Sequence, residues 1–228
     1  MKNRYVTGVV ALSLSLGAVV AQAQYYSYLP PDEGPLLRLG IGPSFFQNGR
    51  LTQYGTSVSS PVDYDTGLAF DAAFGWAFNQ YAALDFETGF VGATINNVPG
   101  YISDNARLYN VPFLVNFTLS YPIPRTILVP YAGVGIGGAD VVFNPDQFGP
   151  SSNDYVTGSE NDVVVAGQAF AGLRFQLTRR MSVDVGYKFF ATGDPTFSYP
   201  NINAPGNFDV GFRGVRTHSV MFALKFDF

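Results

Sequence analysis

Residues 217–228 read THSVMFALKFDF, and their order decides the class of fold. Val220, Phe222, Leu224, Phe226 and Phe228 occupy every second position, with Ser219, Ala223, Lys225 and Asp227 between them. A period of two belongs to an extended strand with one apolar face, whereas a helix brings every third or fourth residue together. The apolar set runs free of charge to the last residue, and both charges fall on the opposite face.

Working back through the chain, the same alternation recurs in seven more segments, 36–46, 66–78, 82–92, 108–119, 129–139, 163–177 and 181–190. In the second, Leu68, Phe70, Phe74 and Trp76 oppose Ala69, Asp71, Ala73 and Gly75; in the seventh, Val183, Val185, Tyr187 and Phe189 oppose Ser182, Asp184, Gly186 and Lys188. The glycine-rich fifth segment alternates most weakly, with Ala132, Val134 and Ile136 against Gly133, Gly135 and Gly137. Connections alternate too. Those at 79–80, 120–128 and 178–180 are short, and those at 47–65, 93–107, 140–162 and 191–216 are long.

Alternation does not say which face is inside, because soluble and membrane barrels share the period and invert the solvent. Here the less apolar face is Gly, Ala and Ser with a few charges, as a crowded lumen requires, and the other face is almost free of charge. Short turns on one side and long loops on the other are the pattern of membrane barrels. Aromatic residues gather at strand ends, Trp76, Phe78, Tyr81 and Tyr121 below and Phe45, Phe90, Tyr109 and Phe190 above, as interfacial girdles do. The expected fold is therefore all-β, an eight-stranded antiparallel up-and-down transmembrane barrel over 36–228.

Lys2 and Arg4, an apolar run over 6–20 and Ala21, Gln22, Ala23 form a secretory signal, expected to be cleaved after 1–23 and to leave 24–35 as a periplasmic N-terminal segment. The apolar run is shorter than the ~20 residues a spanning helix needs. Loss of Lys2 and Arg4 leaves eleven basic against seventeen acidic residues, which argues against a nucleic-acid partner. The chain has no cysteine, so a disulfide framework and thiolate metal sites are excluded. Only 13% of residues are charged, about half the share of an average soluble domain. An exported barrel of this kind belongs in the outer membrane of a Gram-negative-type bacterium, surrounded by its lipid.

The terminal alternation of Phe222, Leu224, Phe226 and Phe228 resembles the C-terminal signal of outer-membrane barrels, and residues 109–116 followed by 130–137 resemble small barrels of the opacity-protein and OmpA-like superfamily, which includes OmpX- and OmpW-like proteins. The resemblance implies the barrel assembly machinery as a partner. It implies no single activity, since such barrels include structural proteins, adhesins and small-solute pores.

No cofactor motif or catalytic constellation is visible. His218 is the only histidine and Ser219 its neighbour, but adjacent strand residues point to opposite faces, so the pair cannot form a relay. The acids Asp140, Asp146, Asp154, Glu160 and Asp162 share one loop without a basic residue; calcium is one reading, solvated carboxylates the favoured one. Phe197, Tyr199, Phe208 and Phe212 in the last loop suit either a contact surface for an extracellular ligand or packing over the barrel mouth. The lumen face carries Arg38, Arg174, Lys188 and Lys225 against Asp71, Asp85, Glu87, Asp184 and Asp227, expected to form compensating groups. Symmetry about a turn at Arg179 sets Arg174 opposite Asp184. Lys188 is expected to reach toward Asp71, Asp85 and Glu87, and Arg38 to meet Asp227. Such a network would fill the lumen. The function expected is non-enzymatic, through envelope integrity or loop contacts, with a narrow conduit or binder for small or apolar solutes as the alternative.

Overall fold

The computed structural model describes residues 33–53, 56–151, 154–200, 207–213 and 215–228; the signal at 1–23 and residues 24–32 lie outside them. Eight long antiparallel strands follow the alternating segments: β1 (Gly34–Phe46), β4 (Gly67–Ala77), β5 (Ala82–Asn97), β7 (Arg107–Ser120), β8 (Leu128–Asn144), β11 (Glu160–Gln176), β12 (Met181–Thr192) and β15 (Arg216–Asp227). Each pairs with its neighbour in sequence, and β1 pairs with β15, so the sheet closes on itself. Closure removes every edge within the barrel, which is what a sheet in hydrocarbon requires.

Stepping between register partners, Phe45 leads to His218, Phe189, Ala169, Val134, Phe117, Leu84, Trp76 and back onto β1 at Pro35. The circuit returns ten residues lower. That stagger tilts the strands by roughly 40°, and ten residues at that tilt give a belt about 24 Å tall, the span of a hydrocarbon core. The outer face of the belt is apolar apart from Thr88 and largely exposed, including Phe74 at 63%, Ile136 at 71% and Phe222 at 53%. Phe190 does not belong to the upper girdle. It is 2% exposed and points inward, because it stands one residue from the outward Phe189.

The short turns close with side-chain acceptors. Asn79 Oδ1 accepts from the amides of Tyr81 and Ala82, and Thr178 Oγ1 from those of Arg180 and Met181. The long connections depart from irregular loops. They contain β2 (Gly49–Gln53), β3 (Thr56–Tyr64), β6 (Ile102–Asp104), β9 (Gln147–Ser151), β10 (Asp154–Val156), β13 (Thr196–Pro200) and β14 (Asn207–Arg213). Strands β13, β14, β2 and β3 extend the barrel sheet from the upper end of β5, and β10, β9 and β6 form a second small sheet. The strands β5 and β8 also run five residues higher than the sequence periodicity alone assigned. Their upper ends and the loop strands share one apolar core that includes Leu51, Val62, Ile95, Leu108, Val141 and Phe143.

Candidate functional site: the lumen and its cover

Inward residues of six strands meet at mid-height on Glu87, which is 1% exposed. Its carboxylate accepts from Arg38 Nη2 at 2.5 Å, Lys188 Nζ at 2.7 Å, Asn116 Nδ2 at 3.0 Å and Gln168 Nε2 at 3.1 Å. Lys188 also donates to Asp71 at 2.5 Å, and Asp71 lies 3.9 Å from Arg38. Asn116 joins Asp85 to the group at 2.8 Å, and Gln168 Nε2 donates to Asn116 Oδ1 at 2.8 Å. Buried ions on this scale are tolerated because Arg38, Lys188, Asp71 and Glu87 pair with one another, while Asp85 is held by a hydrogen bond from Asn116. On β8 the network needs absence of a side chain: a Cβ on Gly135 would stand 2.0 Å from Asn116 Oδ1.

A second layer lies toward the short turns. Arg174 and Asp184 are cross-strand partners joined by two bonds, Nε at 2.8 Å and Nη2 at 2.9 Å, and the guanidinium sits 5.1 Å from the centre of the Tyr131 ring. Lys225 bonds directly to Asp227.

Arg38 does not meet Asp227. Across the closing seam Arg38 stands opposite Lys225 and Asp227 opposite Leu36, so Asp227 turns to its own strand neighbour while Arg38 reaches inward and up to Glu87. Lys188 reaches Asp71 and Glu87 and leaves Asp85 to Asn116. Asn116 and Gln168 are site residues that attention to charge passed over, although both fall on the inward positions of their strands.

The spaces beside the network are small. A cavity of about 30 Å³ below it is lined by Arg38, Asp85, Tyr131, Arg174 and Lys225, and one of about 10 Å³ above it by Asp71, Glu87, Gln168, Lys188, Phe190 and Met221. These have room for no more than a water or two.

Higher still the mouth is covered by an aromatic cluster centred on Phe143, whose ring lies 5.0 Å from Phe212, 5.2 Å from Phe148, 5.7 Å from Phe197 and 6.3 Å from Tyr199. Tyr199 donates its hydroxyl to the Phe143 carbonyl at 2.9 Å. Phe197, Tyr199 and Phe212 are 1–2% exposed, so they form a core and not a displayed contact surface. A polar loop gains more by burying these rings on one another than by holding them in water. The side chain of Phe208 lies outside the described residues.

The loop acids are apart. Asp140 accepts from Asn161, Asp146 from Asn105, and Asp162 from the Thr196 amide, each at 2.8–2.9 Å, and no group of three such residues suited to a metal occurs among the described residues. Asp154 has its side chain outside the description. His218 faces outward at the upper rim, with its ring nitrogens bonded to Gln47 and Tyr187, while Ser219 is buried on the inner face.

A closed antiparallel barrel with a lipid-facing apolar belt is the outer-membrane class of fold, and the belt places this chain in that membrane. No family model and no curated protein matches the sequence. Solved structures match its fold. The outer-membrane protein OprG from Pseudomonas aeruginosa aligns with a TM-score of 0.57 at 13% identity, over 86% of this chain and 97% of that one. Neisserial surface protein A aligns with a TM-score of 0.52 at 10% identity, over the same shares of the two chains. At these identities the likeness is one of fold.

Proposed function

We propose that this protein is a non-catalytic outer-membrane barrel whose lumen is closed to solutes, and that it acts through the β-structured layer it holds above the membrane, in envelope integrity and in contact with an extracellular ligand. The observation that carries this reading is Glu87, bound by donors from β1, β7, β11 and β12 at mid-height beneath the aromatic cover. The four strands are thereby braced across the space a solute would need. With the aromatics buried, the contact surface would be the polar outer face of the loop strands. Planar-bilayer recording of the purified protein tests the closure: no stable open state is expected, and a reproducible conductance would move the function to a narrow conduit for small solutes. Absence of catalysis predicts that His218→Ala leaves lipid- and peptide-cleaving activities of the envelope unchanged.

The barrel's partners on this reading are outer-membrane lipid along the belt and the assembly machinery at the last strand. Phe222 and Leu224 on β15 and Phe228 just past its end are 53%, 44% and 62% exposed, which suits recognition from the lipid side. Phe226 follows the same alternation. Deletion of Phe228 should lower the outer-membrane level while export continues. Normal levels without it would remove the assembly role from this residue.

A further inference from the structure

We infer that Arg50, Arg213 and Arg216 form a binding strip for phosphate-bearing headgroups of the outer-leaflet lipid. The inference rests on the loops facing outward from the membrane, and is independent of whether the lumen conducts.

Above the belt the described residues carry eight carboxylates with described side chains and only four cations, Arg50, Arg107, Arg213 and Arg216. Were pairing the organising force, the four would be dispersed among the acids. Three instead share one ribbon. The same pairing offset holds on both sides of the break between β1 and β2: Phe45 faces His218 and Phe46 faces Thr217, the Gln47 amide bonds to the Arg216 carbonyl at 2.8 Å, and beyond the break Arg50 faces Arg213. Phe46, Gly49 and Leu51 on one side and Val215, Phe212 and Val210 on the other are buried, with Phe212 against Phe143. Arg50, Arg213 and Arg216 therefore project from the opposite, outward face, and all three are exposed.

Directly opposed residues on paired strands hold their Cβ atoms ~5 Å apart, and like charges there repel. The register sets Arg50 against Arg213 with little to offset it. Arg213 has Asp194 at 3.9 Å, with both side chains more than half exposed, and Arg50 and Arg216 have no carboxylate partner among the described residues. The segments between the described parts of this ribbon, 54–55, 201–206 and 214, contain no acid. An external anion is the group that relieves the repulsion, and guanidinium forks match phosphate oxygens in pairs.

Position selects the source of the anion. Arg216 stands two residues above His218, whose partner Phe45 is 46% exposed at the top of the apolar belt. Around it the surface is already polar, with Gln47 and Tyr187 bonded to His218. The strip thus begins where hydrocarbon ends and rises through the headgroup layer on the lipid-facing flank.

The test places wild type and the triple variant R50Q/R213Q/R216Q in nanodiscs of equimolar phosphatidylcholine and phosphatidic acid, a lipid whose headgroup is a bare phosphate. Lipid retained by each is counted by native mass spectrometry. Wild type should keep phosphatidic acid over phosphatidylcholine by about tenfold, and the triple variant should lose that preference. The control R125Q/R179Q/R180Q, altered at the short turns on the other side of the membrane, should keep it. An unchanged preference in the first variant, or an equal loss in the control, overturns the proposal. So does competition by millimolar inorganic phosphate, which would make the strip a site for soluble anions. Heat-dependent electrophoretic mobility shows that each variant is folded, and R216Q alone serves if the triple variant is not.

Discussion

Glu87 accepts four hydrogen bonds while only 1% exposed, and two of its donors are cations whose other carboxylate is the same residue, Asp71. Glu87→Ala leaves Arg38 and Lys188 competing for Asp71, and breaking a buried pair in this way costs roughly 3–5 kcal/mol. Urea unfolding in lipid vesicles, followed by the fluorescence of Trp76, the single tryptophan, should show a loss of that size. Removing the cation as well, in Glu87→Ala with Lys188→Met, should recover a large part of it, because an uncompensated ion is worse than an apolar side chain of similar volume. A loss below about 1 kcal/mol in the single variant would mean that the network is hydrated and not structural. The alternation of a strand puts each of these charges on a face, and symmetry about a short turn sets Arg174 against Asp184. What meets across the lumen, and across the seam between first and last strands, depends on the ten-residue stagger of the closed sheet. No local stretch of sequence contains that quantity, and the expectation of Arg38 beside Asp227 failed there.

Strand β8 shows how an element was cut short by its composition. Its four glycines weaken the periodicity, and Asp140, Asn144 and Pro145 have the chemistry of a loop. Yet Val141 and Phe143 keep the inward phase of Ala139, so the continuation was present in the pattern. The loop strands were not legible, because their partners are other loops far away in sequence. Phe143→Ala should open the cover and leave the barrel intact, since it removes the ring at the centre of the cluster at a cost of roughly 3–5 kcal/mol. Limited proteolysis should then cut within the loops, with the barrel core still protected. The cover should also loosen in alkali. Burial, with Glu160 nearby, raises the phenol of Tyr199 well above its usual range, and burial alone does the same for Tyr64. An acid held protonated in the fold contributes stability in full below its unfolded value near 10, and loses it as pH rises above that value. Loop proteolysis should therefore accelerate above about pH 10, and less so in Tyr199→Phe, which has no proton to lose.

At the scale of the whole molecule, two barriers stand in series on the barrel axis: the charged layer at mid-height and the apolar cover above it. They are built from different residues by different forces, the first by ion pairs across the lumen and the second by ring packing among loop strands. On the proposed reading, either one alone would block a continuous water path. Replacing residues 193–215 by a short turn removes β13 and β14 and with them Phe197, Tyr199 and Phe212, but leaves Glu87 and its donors in place. Arg38→Ser with Lys188→Ser and Glu87→Ser clears the middle of the lumen but leaves the cover. Each of these proteins should remain silent in planar bilayers. Only their combination should conduct, and because Asp71 and Asp85 would then line the narrowest section without cations, it should prefer cations over anions, with reversal potential in a salt gradient as the measurement. If removal of the cover by itself produced a steady conductance, the charged layer would have to be porous, and the barrel would be a gated channel with its loops as the gate.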